Sequence, residues 1–305
     1  LYSGGSEAVK MYNQYSRNFT TNQGVKQGSP SSPLFYKLYL HNLLTALEKH
    51  QLGYKIGTIY LGTVGVADDV LLGANHPSQM QSMIDVSYLY SIDHRYDLAP
   101  DKSINTDMNV PKALTSLADS SYAIGSSTVK KEDSFTHVGL TWKEGKAYPD
   151  IDAKVSAARR ASYSMLGAGL HGKNGMDPYT AIKSFNTFIT PILLYGLNAT
   201  VLPKAEIKKI EDFYRSSLRM LQGLPPSVAK EAIYLLSGQV PAEALLHCRI
   251  FSLFGQISRL HIDHPLHRLA ARQLVMRNSN PGSWFTQLTK LAERYQIDIS
   301  QALCF

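Results

Sequence analysis

Apolar residues recur along this chain with two different periods. From Pro33 to His50 the repeat is helical: Phe35, Tyr39, Leu43 and Leu47 fall four apart, flanked by Leu34, Leu38, Leu40 and Leu44. Pro33 suits a first helical turn and Gly53 lies just past a natural stop. Residues 54–75 switch to short β-prone runs. Ile56, Ile59, Leu61 and Val64 alternate loosely, and the stretch Val64–Gly73 is an apolar run interrupted by Asp68 and Asp69 and then resumed. That pattern predicts a β-hairpin with the two aspartates at its tip. Pro77 opens a second helix through about Tyr90, with Met80, Ile84, Ser87/Tyr88 and Ser91/Ile92 along one side. Before all this, Val9, Met11, Tyr12, Tyr15 and Phe19 predict a strand pair leading into Gly24; residues 104–129 read as short strands around an irregular insertion.

Glu144-Gly145-Lys146 marks a change, and everything after it is helical in pattern. Residues 151–166 form one helix with Ile151, Val155, Ala158, Ser162 and Met165 inward and Lys154, Arg159 and Arg160 outward, ended by Gly167-Ala168-Gly169 and Gly172. Residues 178–202 read as a helix kinked at Pro191. Residues 204–222 are the clearest amphipathic segment: Ile207, Ile210, Tyr214, Leu218 and Leu221 make the stripe, and Lys204, Lys208, Arg215 and Arg219 lie off it. Residues 241–261 repeat the pattern through Leu246, Ile250, Leu253, Ile257 and Leu260. The expected fold class is α+β, with an antiparallel sheet and packed helices over residues 1–145 and an all-α region over 146–305.

Charge sharpens that division. Residues 1–150 hold 13 Lys/Arg against 14 Asp/Glu, whereas residues 151–305 hold 18 against 10. The excess positive charge of the chain therefore belongs to the helical half, which suggests a polyanionic partner there. A basic helix face of this kind can follow a phosphate backbone. The two cysteines, Cys248 and Cys304, exclude a disulfide scaffold, and the spacing of Cys248 to His261, His264 and His267 fits no usual zinc pattern. No run approaches the length of a membrane-spanning helix, and the opening residues carry no signal peptide. The chain starts without Met, which suggests a piece of a longer one.

Candidate chemistry centres on Asp68 and Asp69. Adjacent carboxylates repel and are best tolerated beside a counter-charge. Mg²⁺ is a strong candidate, since it takes oxygen ligands and is held by one or two carboxylates plus substrate phosphates. About forty residues upstream lies Gly24-Val25-Lys26-Gln27-Gly28-Ser29-Pro30-Ser31-Ser32-Pro33-Leu34-Phe35, a tight turn delivered at a helix N-terminus. Gly28 lets a backbone approach a ligand closely, and the helix end favours negative charge nearby.

G-V-x-Q-G-S-P-x-S-P-L-F followed by x-A-D-D-x-x-L resembles the reverse transcriptase domain of non-LTR (LINE-type) retrotransposons, whose motif B and motif C these are. Further along, Pro100, Lys102 and Ser103 resemble motif D, with Ala99 in place of its usual Asn. His137-Val138-Gly139-Leu140-Thr141-Trp142 resembles motif E, the hairpin supporting the primer 3′ end, and Pro191-Ile192-Leu193-Leu194-Tyr195-Gly196 resembles a run after the palm. The resemblance implies a partial polymerase palm followed by a helical thumb, and RNA-directed DNA polymerase activity by two-metal nucleotidyl transfer with Mg²⁺ or Mn²⁺.

It further implies Asp68 and Asp69 as metal ligands, Asp68 bridging, and Lys102 beside the departing pyrophosphate. Gln27, Gly28, Ser29 and Pro30 would border the incoming deoxynucleoside triphosphate and templating base, and Val66, where relatives often carry an aromatic residue, the nucleotide sugar. Lys154, Arg159, Arg160, Lys204, Lys208, Arg215 and Arg219 would contact the RNA template and DNA primer. Nuclear action follows from the family. The motif A aspartate has no counterpart: Glu7 is the only acidic residue ahead of motif B and its context differs. The fingers are absent as well. The chain alone is therefore expected not to polymerise. The alternative is a non-catalytic nucleic-acid-binding or interaction protein derived from such an element.

Overall fold

The computed structural model describes residues 5–21, 24–26, 28–108, 120–276 and 282–299. The fold is α+β, with ten α-helices among the described residues: α1 Ser32–Lys49, α2 Pro77–Asp93, α3 Ile151–Ser164, α4 Pro178–Phe188, α5 Thr190–Leu194, α6 Lys204–Leu221, α7 Lys230–Ser237, α8 Ala242–Ser258, α9 Pro265–Val275 and α10 Trp284–Tyr295. The strands are short and, among the described residues, form separate two-stranded ladders rather than the continuous sheet expected. Most are antiparallel; Ile104–Asn105 and Lys130–Lys131 pair in parallel.

The chain divides into two units. The first runs through Pro100 and takes in Ser120–Val129; the second takes up at Asp101 and includes all that is described from Lys130 onward. This differs from a division at residue 145, and packing explains why. The hairpin of Ser134–His137 with Leu140–Lys143 associates with the helices after it. The Asp150 amide donates to the Thr141 carbonyl at 2.7 Å, and the Lys143 ammonium lies 2.6 Å from the Asp150 carboxylate.

In the first unit, Leu40, Leu43, Leu47 and Met83 form the core, with Tyr36, Val70 and Leu72 packed on it. The inward face of α1 therefore runs 36–40–43–47. The expected 35–39–43–47 stripe is out by one position at its start, and Leu34, Leu38 and Tyr39 are exposed. Tyr39 is used otherwise: its hydroxyl donates to the His94 carbonyl at 2.6 Å, and Tyr90, stacked on His94 at 3.7 Å, donates to the Tyr39 carbonyl at 2.5 Å. These bonds tie α1 to the C-terminal end of α2. The other side of α2 presents Met80, Ile84 and Tyr88 to Tyr122, Ile124 and Val129. Gln81 fastens that contact by both donating to the carbonyl and accepting from the amide of Ala123.

The second unit has one large core, built from Ile151, Ala158, Phe185, Leu193, Leu194, Tyr214, Leu218, Ile250 and others. The amphipathic stripe of α6 is borne out, with Ile210, Tyr214, Leu218 and Leu221 buried. The helix expected over 178–202 is not kinked but broken into α4, α5 and a short 3-10 turn at Leu197–Ala199. Pro191 enters the first turn of α5, where its missing N–H is harmless, and Tyr195 and Gly196 leave helical geometry altogether, Gly196 at φ +76°.

Asp150 caps α3, its carboxylate accepting from the amides of Asp152 and Ala153. Burial by itself would raise this carboxyl; the Lys143 hydrogen bond and the two amides outweigh it and hold it below the ordinary range. A depressed folded-state value gives stability that is complete above the unfolded value and lost as pH falls through the folded one. We expect Asp150→Asn to flatten the loss of thermal stability below about pH 4, measured by melting temperature against pH. An unchanged slope would remove this role.

Candidate active site

The acidic hairpin pairs Thr63–Val66 with Asp69–Leu72, Val66 opposite Asp69. The connecting loop is Ala67–Asp68, so Asp68 sits at the tip and Asp69 is the first residue of the returning strand. Alternation then sorts the side chains. Val70 and Leu72 face the core, and a methyl group on Gly65 would lie 3.5 Å from Leu44 of α1. Asp69, Val66, Val64 and Leu71 share the opposite, exposed face. Asp68 is exposed at the tip, and in the second turn of α1 burial first, then the Asp68 charge and Tyr39, raise the phenol of Tyr36. Tyr36, which the periodicity of α1 obscured, packs on the same core as Val70 and Leu72 of the hairpin.

Ala67 adopts a left-handed φ of +54°, which an L-residue with a side chain adopts at a cost. Glycine accepts it freely. Ala67→Gly is expected to stabilise the chain by about 0.5–1 kcal/mol, read from chemical denaturation. A destabilised variant would contradict this geometry.

The loop ahead of α1 is held locally. Gly28 sits at φ +81° with open space around its α-carbon. The amide of Ser29 donates to the Lys26 carbonyl at 3.2 Å, and the buried Ser32 hydroxyl donates to the same carbonyl at 2.6 Å. Ser29 and Ser31 hydroxyls are 3.0 Å apart, and Pro30 is exposed. Gln27 lies outside the described residues. The helix this loop opens is the one packed against the acidic hairpin, so Gly28, Ser29 and Pro30 and the aspartates belong to one unit. Lys102 is exposed at the end of the turn Pro100–Lys102, in the second unit.

Asp68 and Asp69 are exposed, and among the described residues no cation pairs with either. No group of three or more His, Cys, Asp or Glu side chains among the described residues forms a metal cage. Two unpaired, adjacent carboxylates fit the partial oxygen set that Mg²⁺ uses when substrate phosphates complete its shell.

The basic residues of the second unit are less available than their sequence positions imply. Lys154 is not outward: it is 8% exposed, with its ammonium 4.7 Å from the centre of the Tyr195 ring. Its helix is flanked there by α5, which brings Tyr195 over it. On α6, Lys208 and Arg215 both pair with Asp212, at 3.3 and 2.6 Å, and Arg219 donates to the Leu224 carbonyl at 3.3 Å. Arg159 stands 6.0 Å over Phe213 with its charge exposed; Arg160 and Lys204 are exposed.

An acidic hairpin thus packs on a helix that a glycine-serine-proline turn opens, and comparison with known families gives the class. Residues 2–141 match the family described as reverse transcriptase (RNA-dependent DNA polymerase), and this segment is a reverse transcriptase domain of the non-LTR retrotransposon type. Over 237 residues, 74% of the chain, the sequence is 28% identical to the retrovirus-related Pol polyprotein from type-2 retrotransposable element R2DM of Drosophila melanogaster. The match covers 21% of that polyprotein, so the chain spans about a fifth of its relative's length.

Proposed function

We propose that this chain is the palm-and-thumb portion of a retrotransposon RNA-directed DNA polymerase, which adds deoxynucleotides to a primer 3′-hydroxyl on an RNA template. The observation that supports this reading is the acidic hairpin packed against α1, the helix that the Gly28–Pro30 turn opens, with Asp68 and Asp69 exposed at its tip. In-line displacement at a phosphate asks the protein chiefly for positioning and charge. Asp68 and Asp69 would hold Mg²⁺ or Mn²⁺, which in a two-ion arrangement stabilises the entering and leaving oxygens. Gly28, Ser29 and Pro30, with Gln27, border the nucleotide from the α1 side. Val66, on the same face as Asp69, meets its sugar. Lys102 neutralises or protonates the departing pyrophosphate. Arg159, Arg160 and Lys204 meet the primer–template backbone.

The hairpin supplies two carboxylates, and two ions call for more. The chain alone is therefore expected to give no primer extension with Mg²⁺ or Mn²⁺, and to gain it when the polypeptide bearing the motif A aspartate is supplied. Extension by the chain alone would overturn the claim of incompleteness. A second reading, a non-catalytic nucleic-acid-binding derivative of such an element, is favoured by the positive excess of residues 151–305. Activity in the supplemented assay excludes it.

A further inference from the structure

Within the second unit, α10 is fastened at both ends. At its start the Trp284 indole donates to the Asn198 carbonyl at 2.8 Å. At its end the Tyr295 hydroxyl lies 2.9 Å from Nδ1 of His247 on α8, the two rings meeting edge to face. We propose that His247 and Tyr295 form a proton-operated latch: neutral His247 holds the last turns of α10 on α8, and a proton on His247 releases them.

His247 is 4% exposed and both ring nitrogens have neighbours. Its Nε2 stands 3.8 Å from the Glu243 carboxylate, one turn back on α8. A carboxylate on that side favours the tautomer with its proton on Nε2, which leaves Nδ1 to accept from the Tyr295 hydroxyl. Protonation puts a hydrogen on each nitrogen. Nδ1 then ceases to accept, and the Tyr295 hydroxyl must turn its own proton away. Tyr295 is 42% exposed, so it is the partner that can move.

Charge works in the same direction. Glu243 already pairs with Arg294 of α10 at 3.4 Å, so an imidazolium would bring a second cation to one carboxylate. Burial pushes the His247 imidazole below its ordinary value; Glu243 opposes this and Arg294 adds to it. Glu243 is fixed from behind: its amide donates to Glu211 of α6, which also accepts from the Tyr234 hydroxyl of α7. The α8 side is therefore held by two further helices, and α10 is the side that gives. The other buried imidazole in this region is His267 of α9, a helix packed on both α8 and α10, and its Nδ1 has no partner among the described residues. A folded-state value below the unfolded one gives stability that is complete above the unfolded value, about pH 6.5, and lost as pH falls through the folded one. Release therefore belongs to mild acid.

Hydrogen exchange of the intact chain, corrected for the intrinsic effect of pH on amide exchange, reads the latch over the second half of α10. Between about pH 7.5 and about pH 5, protection there is expected to fall about fivefold or more, as for the loss of one hydrogen bond. Protection of α6 should stay constant over the same range.

His247→Gln should remove the pH dependence. Tyr295→Phe keeps the ring against Phe251 and is safe for folding; it should lower protection of α10 at neutral pH and flatten the dependence. His267→Gln should leave the dependence in place. Protection indifferent to pH, a dependence that survives undiminished in Tyr295→Phe or His247→Gln, or one that His267→Gln abolishes overturns the proposal. So does an equal loss of protection in α6, which would be unfolding of the whole unit. None of those results touches the polymerase reading, which stands or falls on primer extension.

Discussion

Asp68→Asn, in an assembly that polymerises, is expected to lower the rate of primer extension at least about a thousandfold. The change keeps the size of the side chain and removes its charge. Asp68 is exposed at the hairpin tip and pairs with no cation among the described residues, so no ion pair is lost and folding should be untouched. If anything, an isolated carboxylate beside Asp69 is relieved of repulsion. On the proposed reading, what disappears is one of the two carboxylates that would hold the metal ion at the hairpin tip. Asp69→Asn should cost less, since the proposed reading gives Asp69 the secondary role. Single-turnover extension with primer–template affinity measured separately distinguishes the two effects. A variant within tenfold of the parent rate, at equal affinity, would mean the acidic hairpin is not the catalytic element.

Gly196→Ala is expected to destabilise the chain by about 3 kcal/mol. Two costs combine. The backbone sits at φ +76°, where an alanine is unfavourable, and the added methyl would lie 2.6 Å from Cδ1 of Leu140 in the 134–143 hairpin. Leu140 is half-buried and its tip can shift only in part, since its Cγ would also lie 3.2 Å from the added methyl. Gly238 separates the two contributions: it has φ +64° but nothing within 4 Å of an added methyl, so Gly238→Ala isolates the backbone cost. Denaturant midpoints with unchanged slopes are the measurement. Equal losses at both glycines would show that the hairpin does not rest on the Leu194–Gly196 turn.

Much of this architecture was legible in the sequence because it is local. The acidic hairpin, the turn that opens α1 and the stripe of α6 follow from short-range period and turn chemistry, while the hairpin near residues 137–142 is expected from the family resemblance alone. The misses are places where a distant segment decides. Residues 35 and 36 are equally good starts for an apolar stripe, and the acidic hairpin packed beside α1 selects Tyr36. Lys154 reads as a solvated charge until α5 lays Tyr195 across it. The break at Pro191 reads as a kink until Gly196 turns the chain onto Leu140. Likewise the cations of α6 look free along a helix face, yet Asp212 sits within reach of two of them.

The outer face of the acidic hairpin bears on how the isolated polypeptide behaves. Val64, Val66 and Leu71 stand 46%, 40% and 41% exposed on a two-stranded ladder. Among the described residues no further strand pairs with this ribbon, which leaves open edges beside one greasy side, the combination that recruits further strands. Prepared by itself at high concentration, this polypeptide should therefore self-associate through the very ribbon that carries its aspartates, and the oligomers would mask the residues a biochemist wishes to assay.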